Sequence, residues 1–99
     1  MAPGFRQNAG LGEQEPMTTE WILYGTYGCH LCDQAAELLR SIDGPPLRFV
    51  EVDILDQAEL EQRYGVRIPV LRHAASGREL GWPFDRQQVL EFRAHVAAS

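Results

Sequence analysis

The chain has two cysteines, Cys29 and Cys32, and only two residues separate them. Residues 21–24 (Trp-Ile-Leu-Tyr) favour a strand, residues 25–28 favour a turn, and the sequence from Leu31 onward favours a helix. The cysteine pair therefore opens a helix directly after a strand. This placement constrains the fold strongly, because a Cys-x-x-Cys pair beside a βαβ pattern is typical of a dithiol redox site.

The start of a helix stabilises a thiolate. The first backbone N–H groups of a helix have no partner within it, and the helix dipole leaves partial positive charge there. Cys29 is therefore predicted to be an exposed nucleophile whose thiol pKa lies below the free value of about 8.5. Cys32, one turn further along, is predicted to resolve a mixed disulfide formed on Cys29.

His30 stands between the two cysteines. A partly protonated imidazole beside the thiolate would lower the pKa of Cys29 further, which makes His30 a candidate tuning residue. The alternative is a ring that points into solvent and changes little. The sequence alone leaves both interpretations open.

The segments after residue 20 alternate between strand and helix patterns. The first helix has an apolar stripe at Leu31, Ala35, Leu38, Leu39 and Ile42. A strand over 47–53 follows, then a helix predicted to begin at Asp56, a hairpin of residues 69–72 and 78–80, and a helix capped by Asp85 with Gln88. The order β-α-β-α-β-β-α predicts an α/β fold with a four-stranded mixed sheet flanked by three helices.

The amino-terminal residues differ in composition from the rest. Residues 1–16 are rich in Gly, Gln, Glu and Pro and show no periodicity, so they are predicted to form a flexible extension to a domain over residues 17–99. Met17 is a candidate start. No apolar run approaches the roughly 18 residues of a membrane span, and no apolar signal core is visible. We therefore expect a cytoplasmic location and no membrane partner.

The charge of the chain limits its partners. Nine arginines, no lysine and fourteen acidic residues give a net charge of −5, and no basic run occurs. We therefore expect no nucleic-acid partner. The expected partner is a thiol or disulfide protein or a low-molecular-weight thiol, and the chain is expected to act as a monomer.

The element order, with a Cys-x-x-Cys at the first helix, resembles the thioredoxin fold in its minimal, glutaredoxin form. The resemblance extends over nearly all of residues 21–97. Residues 66–70 (Val-Arg-Ile-Pro-Val) are similar to the family's Thr-Val-Pro segment, which implies a cis Ile68–Pro69 bond facing the dithiol. The stretches Cys-His-Leu-Cys-Asp, Tyr-Gly-Val-Arg-Ile-Pro-Val-Leu and Trp-Pro-Phe-Asp resemble a group of small bacterial glutaredoxin-like proteins.

The resemblance implies a thiol–disulfide oxidoreductase in cell redox homeostasis. Ile68 and Pro69 would form the docking edge, with the backbone N–H and carbonyl of Ile68 open to an extended substrate. Tyr27 is a candidate for an apolar rim around the dithiol, together with Tyr24, Trp82 and Phe84. The alternative for Tyr24 is a place in the core, which is more usual for an aromatic residue of a strand.

Glutathione is expected to be a weak co-substrate. Arg67 could hold its glycine carboxylate and Asp85 its γ-glutamyl end, since a helix N-terminus favours anions and a carboxylate binds an ammonium. However, Thr26 stands where glutaredoxins usually carry a lysine, and the Gly-Gly-x-Asp stretch of glutathione-binding members is absent. No resident cofactor is predicted.

The alternative is a binding module without catalytic activity. Such a module would carry a metal or an iron–sulfur cluster at Cys29, or would dock a partner with the dithiol as a redox sensor. A zinc site built from Cys29, His30, Cys32 and His73 is disfavoured. Adjacent helical residues point about 100° apart, so His30 cannot easily join both cysteines on one ion, and no metal site is predicted.

Overall fold

The computed structural model describes residues 20–98, so the predicted extension at residues 1–16 lies outside the described part of the chain. Within this range, strands and helices follow one another in the predicted order. The strands are β1 (Trp21–Gly25), β2 (Phe49–Asp53), β3 (Val70–His73) and β4 (Glu79–Gly81). The helices are α1 (His30–Arg40), α2 (Ala58–Tyr64) and α3 (Arg86–Ala98), and a short 3₁₀ segment, Ile54–Asp56, follows β2.

The four strands form one mixed sheet in the order β2-β1-β3-β4, which confirms the predicted architecture. β1 pairs in parallel with β2 and antiparallel with β3, and β3 pairs antiparallel with β4. The pairing places Gly25 beside Asp53, Tyr24 beside Val70, and Val70 beside Gly81. β1, β2 and β4 therefore end, and β3 begins, at one end of the sheet. We call it the Cys29 end, because the loop to Cys29 leaves β1 there.

Each face of the sheet has its own core. α1 and α3 cover one face, on which Trp21 and Leu23 of β1 pack with apolar residues of both helices. α2 covers the other face, on which the ring of Tyr64 stacks on that of Tyr24 with centroids 4.4 Å apart. All five residues of β1 are buried because the strand is central and covered on both sides.

The start of α2 differs from its prediction at Asp56, which was wrong. Asp56 ends the 3₁₀ segment, and α2 begins two residues later, after an N-cap residue, Gln57, whose side chain makes no capping bond. The cause is Asp53, whose side chain accepts the Leu55 N–H at 2.9 Å and nucleates the extra turn.

The capping box predicted at the start of α3 is confirmed. The Gln88 N–H donates to the Asp85 carboxylate at 2.8 Å, and the Asp85 N–H donates to the Gln88 side-chain oxygen at 3.0 Å. These two bonds satisfy N–H groups that have no partner inside the helix, so they fix where α3 begins.

A polar cluster joins the end of α2 to β4. The Tyr64 hydroxyl and the Arg67 guanidinium both donate to the carboxylate of Glu79, the latter at 3.0 Å. Burial acts to raise the pKa of Glu79, but the bonds from Tyr64 and Arg67 outweigh it and hold the pKa below the ordinary value of 4.5. Burial, together with the bond to Glu79, raises the pKa of the Tyr64 hydroxyl above 10.0.

The lowered pKa of Glu79 predicts a pH dependence of stability. A carboxyl whose pKa is lower in the folded than in the unfolded state stabilises the fold above the unfolded value. That contribution is lost as the pH falls from about 4.5 through the folded value. We expect Glu79→Gln to lower the free energy of unfolding at pH 7 by about 1 kcal/mol and to flatten its fall below pH 4.5.

Urea denaturation at a series of pH values measures this effect. Glu37→Gln, on the exposed side of α1, is the control and should keep the wild-type pH profile. Parallel profiles for Glu79→Gln and the wild type would contradict the role given to the cluster.

Candidate active site

Cys29 and Cys32 form a disulfide bond across the first turn of α1, with their Cα atoms 5.2 Å apart. Cys29 is the N-cap residue of the helix, and its Sγ accepts a hydrogen bond from the Cys32 N–H at 3.2 Å. Cys29 is half-buried, whereas Cys32 is completely buried. An incoming reagent therefore reaches the Sγ of Cys29 before that of Cys32.

The loop before Cys29 has a backbone shape that requires glycine. Gly28 has a φ of +84°, a region in which a side chain costs about 1–2 kcal/mol. The Cys29 N–H then turns back to the Thr26 carbonyl at 3.3 Å. Gly28 and this turn together place Cys29 at the N-terminus of α1.

Asp53 holds the same loop from the neighbouring strand. Its carboxylate is almost completely buried and accepts the Thr26 hydroxyl at 3.0 Å and the Tyr27 N–H at 3.3 Å, besides the Leu55 N–H. Asp53 thus ties the loop that carries Cys29 to the end of β2. It touches neither sulfur, so it is a positioning residue.

Asp53 was not predicted to be a site residue, although the sequence contains a signal for it. Asp53 and Thr26 lie at the ends of two strands that the βαβ pattern makes parallel. Parallel neighbours end at the same end of a sheet, so a carboxylate and a hydroxyl at those positions are placed to meet.

The predicted cis-proline segment also lies at the Cys29 end. The Ile68–Pro69 peptide is cis, as the resemblance implied, and Pro69 is buried directly before β3. The Pro69 carbonyl accepts the Trp82 N–H at 3.1 Å, which ties the segment to the chain after β4. Ile68, Trp82 and Cys29 all pack against the same core cluster.

The Ile68 N–H is not open to a substrate, so this expectation was wrong. It donates to the Tyr64 carbonyl at 3.1 Å, and the Arg67 N–H donates to the same carbonyl at 2.8 Å. The reason is that α2 ends at Tyr64, where carbonyl groups have no further partner within the helix. This N–H therefore offers no free donor at the edge.

The two residues expected to hold glutathione have partners within the chain. The guanidinium of Arg67 binds Glu79 and lies 5.5 Å above the centre of the Tyr64 ring. The carboxylate of Asp85 caps α3. Both side chains are exposed at the surface, but their charged groups already serve the fold.

The two histidines considered above lie in different places. His30 is exposed, and its Nε2 lies 2.9 Å from Nε2 of Gln34, along the outside of α1. His73 pairs with Trp21 at the far end of the sheet, so the four ligands considered for zinc do not meet. Within residues 20–98, no group of three or more His, Cys, Asp or Glu is placed to hold a metal ion.

The aromatic and aliphatic residues around the dithiol divide into two sets. Tyr24 and Phe84 are buried in the two cores, and Trp82 is half-buried against the edge of the Phe84 ring. Tyr27 and Leu31, which flank Cys29 in the sequence, are exposed. The exposure of Leu31 corrects its place in the predicted stripe of α1, since Cys32 and Ala36 are buried instead.

A Cys-x-x-Cys pair at the first helix of this sheet, with a cis-proline at the same end, defines a protein of the thioredoxin-like, glutaredoxin-form class. Residues 20–92 match the family described as glutaredoxin-like domain (DUF836). The chain belongs to this family.

Two solved structures are similar to the chain, both of the protein XcR50 from X. campestris. The X-ray structure is 46% identical, with a TM-score of 0.65, and the match covers 80% of this chain and 97% of that one. The solution structure is 44% identical, with a TM-score of 0.64, over 82% and 96%. Among proteins of curated function, none matches. Within residues 20–98, no helix is long and apolar enough to cross a membrane.

The bonds of Asp53 predict the effect of replacing it. In Asp53→Asn, one orientation of the amide points its NH₂ group at the Tyr27 N–H, and the other points it at the Thr26 hydroxyl and the Leu55 N–H. In both orientations a donor replaces a carboxylate oxygen that accepted a hydrogen bond. We expect a loss of about 1–3 kcal/mol in the free energy of unfolding, or about 4–8 °C in Tm for each kcal/mol.

A matched pair at Thr26 isolates one of these bonds. Thr26→Val removes the hydroxyl and should lower Tm, whereas Thr26→Ser keeps it and should lower Tm less. Thermal unfolding followed by circular dichroism measures all three variants. An unchanged Tm in Asp53→Asn would mean that the carboxylate does not hold the loop.

Proposed function

We propose that the protein is a thiol–disulfide oxidoreductase that uses Cys29 and Cys32 in cell redox homeostasis. The observation that carries this proposal is the unequal access of the two sulfurs in one disulfide at a helix N-terminus. We also propose the reducing cytoplasm as its compartment, where a closely spaced cysteine pair is more often catalytic than structural.

The reaction transfers two electrons from the dithiol to a substrate disulfide. The Cys29 thiolate attacks one sulfur of the substrate, which forms a mixed disulfide and releases the other sulfur as a thiolate. Cys32 then attacks Cys29 Sγ, which forms the Cys29–Cys32 disulfide and releases the second substrate sulfur. The proton that Cys32 loses is taken up by the second substrate sulfur, which leaves as a thiol. Two further thiol groups, from one dithiol or from two thiol molecules in turn, then reduce the protein disulfide by the reverse sequence and leave joined as a disulfide.

The residues around Cys29 support the first step. In the reduced protein, the Cys32 N–H and the N-terminus of α1 stabilise the Cys29 thiolate, which favours nucleophilic attack near neutral pH. The loop held by Asp53 keeps Cys29 at the surface. Pro69 and the carbonyl side of Ile68 are proposed as the docking edge, with Tyr27 beside it.

Replacing each cysteine in turn tests the assigned roles. We expect Cys29→Ser to abolish thiol exchange, because only Cys29 is both accessible and capped by a helix N–H. We expect Cys32→Ser to trap a stable mixed disulfide on Cys29, because the resolving sulfur is missing. Mass spectrometry of each variant after reaction with a model disulfide gives the result.

Alkylation of the reduced wild type is the complementary measurement. Iodoacetamide at neutral pH should modify Cys29 first. Modification of Cys32 first would reverse the roles. Purified protein with a stoichiometric metal or a visible absorbance band, together with no reduction of a model disulfide, would favour the binding-module alternative.

Glutathione is proposed to be a weak partner. This chain has Thr26 where glutaredoxins usually carry a lysine, so it lacks a charge-assisted contact worth about 1.5–3 kcal/mol. That loss corresponds to roughly ten- to a hundredfold in affinity for glutathione. We therefore expect low turnover in a glutathione-coupled disulfide assay. High turnover that Arg67→Ala abolishes, and that Arg78→Ala on the exposed hairpin does not, would contradict this expectation.

A further inference from the structure

The cationic side chain closest in the sequence to the cis-proline is that of Arg67, two residues before Pro69. Arg67 is exposed, yet its guanidinium is bound to a carboxylate of the same chain. An unbound guanidinium at this position would attract the carboxylates of incoming molecules, because its planar fork matches the geometry of a carboxylate. The partner of Arg67 within the chain therefore bears on which small thiols are accepted.

Glu79 is the residue that binds Arg67. Its Oε1 accepts a hydrogen bond from Arg67 Nη2 at 3.0 Å, and its Oε2 accepts one from the Tyr64 hydroxyl. The side chain of Glu79 is only 17% exposed, and Tyr64 is completely buried. Both carboxylate oxygens are thus engaged, so Arg67 is paired with an anion that is fixed in the fold.

The register of the sheet shows where this ion pair lies. Glu79 pairs with Arg72 at the start of β4, whereas Gly81 pairs with Val70 at the Cys29 end of the sheet. Glu79 is therefore two residues, or about 7 Å, further from the Cys29 end than Gly81 is. Because Arg67 is bound to Glu79, its guanidinium is held beside the start of β4, away from the end of the sheet that carries the cysteines.

A second guanidinium group lies close to the same carboxylate. Arg63 and Arg67 both lie over the Tyr64 ring, each 5.5 Å from its centre. Burial acts to raise the pKa of Glu79, but the bonds from Tyr64 and Arg67 and the charges of both arginines lower it below 4.5. Glu79 is therefore ionised at neutral pH. Its removal would leave two guanidinium groups without this negative charge and open to an anion from outside.

We propose that Glu79 determines which small thiols the protein accepts: by holding Arg67, it withholds the cation that would select carboxylate-bearing thiols beside the cis-proline. This inference rests on the proposed function and concerns its substrate class. Glu79 touches no substrate in this role and acts through Arg67, so it is a positioning residue. The wild type accepts neutral and carboxylate-bearing thiols alike, and the exchange at Cys29 and Cys32 is the one described above.

Two small disulfides that differ by one carboxylate test the proposal. One is the mixed disulfide of glutathione with thiopyridine, and the other is the same molecule with its glycine carboxylate converted to an amide. Cys29 of the pre-reduced full-length protein attacks the glutathione sulfur, and the thiopyridine that leaves is followed by absorbance at increasing disulfide concentration. We expect the wild type to reach half-saturation at similar concentrations of the two molecules.

Removal of the Glu79 charge should create a preference for the carboxylate form. In Glu79→Gln the amide keeps hydrogen-bonding groups beside Tyr64 but no longer pairs with the charge of Arg67. We therefore expect half-saturation at about tenfold lower concentration for the carboxylate form than for the amide form. Adding Arg67→Ala should abolish this preference. Glu61→Gln, at an exposed position of α2, makes the same change in net charge and should keep the wild-type ratio.

Tyr64→Phe separates the effect of charge from a loss of structure. It removes one hydrogen bond to the same carboxylate but leaves the pair of Glu79 with Arg67, so it should keep the wild-type ratio. Circular dichroism checks that each variant is folded. The proposal would be overturned by an unchanged ratio in folded Glu79→Gln, by a preference that persists without Arg67, or by a carboxylate preference already present in the wild type.

Failure of the proposed function gives a different result. Release of thiopyridine that persists in Cys29→Ser, or that is absent with both disulfides, would overturn the oxidoreductase itself. Exchange with both disulfides that Glu79→Gln does not bias would overturn only the role of Glu79.

Discussion

The parallel pairing of β1 with β2 determines where the accessible sulfur of the disulfide lies. Its register places Asp53 beside Gly25, so the buried carboxylate reaches the loop that leads to Cys29. A shift of one residue would turn Asp53 to the other face of the sheet and leave the Thr26 hydroxyl and the Tyr27 N–H without their partner. The position of Cys29 at the start of α1 thus depends on a contact between two strands that are distant in the sequence.

The same end of the sheet combines a rigid support with an accessible sulfur. Cys32 is buried, so the disulfide is fixed to the core through one of its two sulfurs, while the Cys29 Sγ remains within reach of an external reagent. The helix N-terminus contributes N–H groups that any helix start possesses. What this chain adds is the loop from Thr26 to Gly28, whose shape requires both a glycine and the carboxylate of the neighbouring strand.

Local sequence patterns predicted the elements well and their contacts less well. The capping box at Asp85 and the mixed sheet followed from spacing, because caps and alternation are local properties. The start of α2 was misplaced because Asp53, an earlier residue in the chain, caps an extra 3₁₀ turn. The engagement of the Ile68 N–H depends on where α2 ends, since its acceptor is the Tyr64 carbonyl four residues earlier. The burial of Asp53 depends on the pairing of β2 with β1, which the βαβ pattern indicates only in outline.

The polar groups beside the cis-proline have partners within the fold, which affects how a ligand could be recognised there. Arg67 forms an ion pair with Glu79, and the Ile68 N–H donates to the Tyr64 carbonyl. These contacts stabilise the segment around the cis-proline and leave fewer of its polar groups available to a ligand. Electrostatic recognition is weaker where the charges already have partners in the fold, whereas apolar recognition requires only accessible surface. The polar groups of this segment thus serve the fold, while Tyr27 and Leu31, close to Cys29 in the sequence, stay exposed.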